Sequence, residues 1–224
     1  MVCADNLASF FVSLELLSVP LYGMLAYTYA RGKSLEAGFK YLILSATASA
    51  TMLMGMALIY SNTGTLSFRQ IGMAIVPMFQ NGIVMPILVV GTALMLFGIA
   101  FKLSAVPFHT WTPDVYQGAP APVATFLGSV SKVAMMALGL RFLLSTATLA
   151  LPAINTLIVV IASLSMIIGN VLALRQQNIK RLLAYSSIAH IGYVLAIISA
   201  VKVESAGFVS LYMAVYAFTT IGAF

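Results

Sequence analysis

Residues 100–132 read AFKLSAVPFHTWTPDVYQGAPAPVATFLGSVSK, and the rest of the chain is organised around them. It begins and ends inside strongly apolar sequence. It nevertheless carries Lys102, Lys132, His109 and Asp114, with prolines at Pro107, Pro113, Pro120 and Pro122. A helix that only spans a membrane has no use for such residues, whereas a helix that carries ions or protons does. Proline removes a backbone hydrogen bond and favours a break. Broken backbone at membrane depth is tolerated only where it faces protein or a water-filled cavity.

The rest of the chain supplies the setting. Of its 224 residues, 62% are hydrophobic and 7% are charged. That much apolar surface needs lipid or partner helices to cover it. Apolar runs of about 20 residues recur along the whole length, as in multi-span α-helical membrane proteins. The alternating ten-residue segments of a barrel are not seen. The expected fold is all-α, a polytopic membrane helix bundle in one domain (1–224). Its spans are expected at 7–30, 35–61, 83–118 (broken), 123–144, 151–174, 182–200 and 206–224. The run from 83 to 118 is too long for one straight crossing. Asn62-Thr63-Gly64 reads as a turn, and the mildly amphipathic 68–80 reads as interfacial.

Charge and cysteine usage narrow the class. The net charge is +6, without a basic block or aromatic-basic interleaving, so nucleic acid is not an expected partner. The basic loop residues instead fix topology. Arg31, Lys33, Arg175, Lys180 and Arg181 gather on one side, and Arg69, Lys202 and Arg141 on the other, which makes the first side cytoplasmic. The single Cys3 excludes an internal disulfide and a cysteine-based metal cluster. No basic n-region or small-residue cleavage site follows Met1. The first span starts close to Met1 and the last runs into Phe224, so further helices are expected beyond both ends.

Buried charges are the candidate chemistry. A charge at the bilayer centre costs roughly 2.5–3.5 kcal/mol on insertion scales, and such residues mark ion or proton paths. Lys102, Lys132 and Glu15 lie deep in their spans. Burial disfavours the lysine ammonium and a nearby carboxylate favours it, so a lysine balanced between the two can relay a proton. Glu15 with a lysine from another span is the natural pair, and the sequence leaves open which lysine it is. The bland alternative is a structural buried ion pair. Lys40 and Arg141 lie near span ends, where snorkelling to the interface is the competing reading. His109 and His190 suit either a relay or an ordinary interhelical hydrogen bond. Asp114 follows Pro113 and reads as a cap for a short helix. No metal-ligand spacing, phosphate-cradling loop or nucleophile constellation is present, so redox chemistry is not expected in this chain itself.

Three stretches carry a resemblance. FKLSAVPFHTWTPDVYQGAPAPVATFL (101–127), NIKRLLAYSSIAHIGY (178–193) and SLELLSVPLYG (13–23) closely resemble the N-subunit family of bacterial NADH:quinone oxidoreductase (respiratory complex I). These antiporter-like membrane subunits are related to subunits of multi-component sodium/proton antiporters, and TPDVYQGAP (112–120) separates the N type from its sisters. The resemblance implies a multi-pass protein of the bacterial inner membrane. It implies a fragment of a fourteen-helix fold with two inverted five-helix repeats, covering helices five to eleven. It implies that Glu15, Lys102 and Lys132 form half of a proton channel coupled to quinone reduction elsewhere, and that Lys40 is a further lysine of that fold. Lys40 and His109 are also expected to belong to the proton relay. Other complex I membrane subunits would be partners. Ubiquinone or menaquinone, NADH, FMN and iron–sulfur clusters would sit in the rest of the complex. The second broken helix of the family, with its own lysine, is missing from this sequence, so these residues alone are expected not to complete a path. The competing functions are a cation/proton antiporter subunit outside complex I and a non-translocating scaffold.

Overall fold

The computed structural model describes residues 1–28, 32–80, 86–201 and 205–224. Arg31 and Lys202, used above to orient the chain, and the expected start of the third span near Ile83 lie outside those residues. The helices in chain order are α1 (Leu7–Ala26), α2 (Gly32–Thr63), α3 (Phe68–Gln80), α4 (Pro86–Leu103), α5 (Trp111–Gly118), α6 (Ala121–Gly128), α7 (Val130–Ser145), α8 (Pro152–Leu174), α9 (Ile179–Val201) and α10 (Ser205–Ala223). Among the described residues seven stretches are long and apolar enough to cross a membrane: α1, α2, α4, α6 taken together with α7, α8, α9 and α10. Among the described residues the only extended pairing is a lone bridge between Asn6 and Ser67. The chain is an all-helical membrane bundle.

The spans alternate in direction, and local chemistry marks their two ends. At one end, Asn6 caps α1 by accepting from the Ser9 amide at 2.7 Å. The Leu7 amide donates to the Leu66 carbonyl and the Phe68 amide to the Asp5 carbonyl, which clips the start of α1 to the start of α3. Helix α3 buries Phe68, Ile71 and Ile75 on one face and exposes Arg69 and Met73 on the other. This is the i, i+3, i+7 spacing of a surface helix. At the opposite end lie Lys33 at the start of α2, all of α5, and Lys180 and Arg181 at the start of α9. Helix α2 is 32 residues, about 48 Å at the standard rise, and outruns the ~30 Å hydrocarbon core.

The apolar run over 83–118 divides as its prolines suggest. Helix α4 ends at Leu103, Ser104 takes a left-handed φ of 65°, and α5 resumes at Trp111. The 123–144 stretch, read above as one span, is interrupted too. Ser129 sits at φ −107°, ψ −80° between α6 and α7. Its hydroxyl donates to the Thr125 carbonyl at 2.6 Å, and Ser131 does the same to Leu127 at 2.8 Å. Serine back-bonding of this kind bends helices.

Among the described residues three apolar clusters hold the bundle, two of them built around aromatic rings. In one, the rings of Phe10, Phe68 and Phe142 meet edge to face with centroids 5.5–6.4 Å apart. In the other, Tyr22, Tyr41, Trp111 and Phe101 form a continuous stack with centroids 5.0–5.6 Å apart. Between helices, small residues permit close approach. A Cβ added to Gly55 would lie 2.6 Å from the Gly91 carbonyl oxygen and 2.7 Å from the Met95 amide. A Cβ on Gly169 would lie 2.7 Å from the Ala189 amide, and one on Gly192 2.9 Å from the Ala162 carbonyl. Helix pairs α2–α4 and α8–α9 therefore pack backbone against backbone. Gly23, by contrast, has open space around it. Gly55→Leu in the full-length protein is expected to cost about 1–3 kcal/mol or more through overpacking. Its thermal midpoint in detergent should fall by several degrees, while Gly23→Ala, inside α1 with open space around it, should not lower it.

Candidate functional site

Lys102 stands one residue before the end of α4 and points between α1 and α2. Its Nζ donates to Ser18 Oγ at 2.7 Å and to Ser45 Oγ at 2.6 Å. The Tyr41 ring lies 5.5 Å from the same nitrogen, measured to its centroid. Tyr22 donates its phenol to Ser45 at 3.0 Å. One turn away on the same two helices, Ser49 Oγ donates to Glu15 Oε1 at 2.5 Å. Ser18 follows Glu15 by three residues on α1, and Ser45 precedes Ser49 by four on α2. These spacings stack side chains on one helix face. Carboxylate and ammonium are thus held on adjacent rungs of the α1–α2 seam, about one 5.4 Å turn apart. Among the described residues no direct ion pair joins them. The lysine that shares a site with Glu15 is Lys102.

Lys132, on the first turn of α7 beyond the Ser129 bend, is 1% exposed. Its Nζ donates to Ser187 Oγ of α9. The Tyr116 ring of α5 lies 5.9 Å from it, measured to the centroid. Ser187 and Tyr216 Oη are 2.7 Å apart, and Tyr216 donates to the Gly128 carbonyl at 2.8 Å. Because the Tyr216 proton is committed to that carbonyl, Ser187 donates to Tyr216. The order is Lys132 to Ser187 to Tyr216 to Gly128, and it ends on the carbonyl that the Ser129 bend exposes. His190, one turn beyond Ser187, stands 5.5 Å from the Tyr216 ring, centroid to centroid. Its Nδ1 bonds the Tyr212 hydroxyl at 2.6 Å.

Lys40 lies elsewhere, at the basic end. It donates to Glu36 at 2.6 Å and to Asp114 at 2.9 Å. Arg181 reaches the other Asp114 oxygen at 2.6 Å and Gln117 at 3.1 Å. Asp114 lies outside the seven spans. It occupies the first turn of α5, but its oxygens accept from side chains of α2 and α9 rather than serving as a cap. Burial raises its carboxyl pKa, yet the hydrogen bonds and charges of Lys40 and Arg181 outweigh this and hold it below the usual value. Lys180 donates to the Ala119 carbonyl at 2.7 Å, just past the end of α5. His109 sits half-buried in the α4–α5 linker, and among the described residues no hydrogen bond joins it to either lysine. Arg141 donates to the Val2 carbonyl at 2.8 Å.

The sequence reading thus singled out the charges and missed most of what holds them. Ser18, Ser45, Ser49 and Tyr22 serve Lys102 and Glu15, and Tyr216 and Tyr116 serve Lys132. The available signal was spacing: a serine three residues after Glu15, and a serine pair four apart on α2. Among the described residues no three His, Cys, Asp or Glu side chains gather to hold a metal ion. With a single cysteine in the chain, these residues do not fit an iron–sulfur cluster.

Comparison with known proteins places this arrangement. The model of the family described as NADH:quinone oxidoreductase/Mrp antiporter, TM, matches residues 4–224. NADH-quinone oxidoreductase subunit N of Psychrobacter arcticus is 62% identical over all of this chain, which covers 45% of that protein. A chain of respiratory complex I from Thermus thermophilus, solved with bound aureothin, is 37% identical with a TM-score of 0.81, over 98% of this chain and 45% of that one. A chain of the Mrp complex from Dietzia sp. shares the fold at a TM-score of 0.86, with 24% identity, 97% of this chain and 40% of its own length. This chain therefore spans a little under half the length of the relatives it matches. With seven apolar helices and bacterial relatives, it is a multi-pass protein of the bacterial cell membrane. The match over nearly its whole length means that the chain belongs to the NADH:quinone oxidoreductase/Mrp antiporter transmembrane family.

Proposed function

We propose that this chain is the proton-carrying part of an N-type membrane-arm subunit of NADH:quinone oxidoreductase. The observation that supports this best is the treatment of its two deep lysines. Both ammonium groups are held inside the bundle by hydroxyl acceptors, and among the described residues neither is neutralised by a contacting carboxylate. A structural ion pair would place acid and base in contact, because a buried charge is costly unless paired. Here Glu15 is kept one turn from Lys102. It is close enough to stabilise the ammonium and far enough that serines, which themselves donate and accept, lie between.

Transfer then has two stations. At the first, Lys102 takes up a proton under the influence of Glu15 and releases it when the carboxylate is protonated or withdrawn. At the second, the Tyr216 hydroxyl leaves Gly128, turns toward His190 and gives up its own proton there; Lys132 then passes a proton to Ser187 as Ser187 passes its own to Tyr216. Lys40 and Asp114 tie α5 to α2, and His109 lies in the α4–α5 linker. The electron chemistry belongs to other subunits of the complex, which would hold NADH, FMN, iron–sulfur clusters and a quinone. In that assembly this chain contacts other membrane subunits and supplies the translocase function.

The test uses the full-length subunit in its assembled complex in membrane vesicles. Lys102→Met and Lys132→Met are each expected to lower NADH-driven proton translocation through this subunit by about 100-fold, the order of one lost acid–base group. Translocation at the parental rate in either variant overturns the reading. An antiporter outside any redox complex would instead show cation-driven proton exchange without NADH. Ser18→Ala combined with Ser45→Ala should destabilise the protein by about 3–6 kcal/mol, since two hydrogen bonds to a charged group are lost at about 1.5–3 kcal/mol each. Ser163→Ala, whose exposed hydroxyl bonds only its own helix, should have no effect on the thermal midpoint.

A further inference from the structure

The broken helix is held open by a residue from a different part of the bundle. In a continuous helix the Val106 amide would donate to the Lys102 carbonyl, four residues back. Instead it donates to Ser165 Oγ on α8, at 2.9 Å. Ser165 is fully buried, and its own proton goes to the Ile161 carbonyl at 2.7 Å. The rest of the break is satisfied locally. The Ser104 amide and the Trp111 indole both donate to the Phe101 carbonyl, at 3.0 and 3.2 Å, and the Ala105 amide donates to Ala100 at 2.8 Å. Only the amide that would close the turn carrying Lys102 is taken by another helix. The Val106 side chain follows its amide and packs against Tyr185 and Ile188 of α9 and Ile168 and Leu172 of α8. Those two helices are themselves locked backbone to backbone at Gly169 and Gly192.

We infer that Ser165 is a positioning residue for Lys102: by capturing the Val106 amide it keeps the turn after Lys102 open and ties the lysine to the α8–α9 pair. The inference rests on the proposed role of Lys102 in proton transfer. Buried amides in a membrane must find a partner. Without the serine hydroxyl the Val106 amide loses its acceptor, and the turn after Lys102 is no longer pinned to α8. The break is then free to shift, and Lys102 shifts with it relative to Ser18 and Ser45.

The experiment compares Ser165→Thr with Ser165→Val in the full-length subunit within its complex. These two side chains have nearly the same shape and differ in the hydroxyl. Amide hydrogen exchange of the peptide containing Val106 reads the geometry. Protons moved per NADH oxidised, followed against pH, reads the function. Ser165→Val is expected to accelerate exchange at Val106 by about fivefold or more, to lower proton yield and to move its pH profile. Ser165→Thr should stay near the parent on all three. If Ser165→Val does not assemble, Ser165→Ala takes its place in the same comparison. Equal exchange in the hydroxyl-bearing and hydroxyl-free variants overturns the inference. So does faster exchange with parental proton yield and pH profile, which would make Ser165 a backbone cap and nothing more. Lys102→Met serves as the control. If it translocates normally, the relay reading fails, and the exchange comparison still decides whether Ser165 holds the break.

Discussion

An ammonium ion inside an apolar bundle must be given acceptors, and this requirement shapes the molecule around Lys102 and Lys132. Lys102 needs two hydroxyls at once, so α1 and α2 must bring Ser18 and Ser45 to one point. They do so because α2 packs against α4 through the glycine contact at Gly55 and Gly91. Lys132 is met by Ser187 and by the Tyr116 ring, so α5, α7 and α9 must converge as well. The breaks in the chain follow from the same demand. The α4–α5 linker and the Ser129 bend turn the two lysine-bearing segments inward, and each exposes backbone groups that neighbouring side chains then satisfy.

The acceptors used are hydroxyls rather than carboxylates, and this choice separates a relay from a rivet. A contacting carboxylate would fix the charge in place. A serine can accept from the lysine and donate onward, so a proton can be handed along without a charged pair coming apart. Among the described residues the ion pairs that are in contact, Lys40–Glu36, Lys40–Asp114 and Arg181–Asp114, sit at the basic end of the bundle. There they tie α2, α5 and α9 together. The molecule thus keeps its contacting ion pairs for fastening and its separated charges for the proposed transfer.

The sequence made the helices and the deep charges legible for one physical reason. Charged residues are so costly in an apolar run that their presence is itself a signal, and Glu15, Lys102 and Lys132 all carried it. Their partners carried at most a spacing, such as Ser18 three residues after Glu15. Serine and tyrosine are ordinary in membrane helices, and Ser165 or Tyr216 acquires meaning only when the fold brings it to an unpaired amide or hydroxyl. The Ser129 bend was hidden for the same reason, since an apolar stretch with two back-bonding serines reads as one span. Asp114 looked like a cap because its local context, a residue after proline at a helix start, is that of a cap. Its real partners, Lys40 and Arg181, lie 74 and 67 residues away along the chain.

The central claim is that Glu15 and Lys102 act as one unit across the serine rungs. A double-mutant cycle on proton translocation tests it most directly, using Glu15→Asp and Lys102→Arg in the full-length subunit so that activity stays measurable. Residues that act as a unit give non-additive losses. The account predicts that the double variant is no worse than the more damaged single variant. Losses that multiply would show that the two residues act independently, and would contradict it.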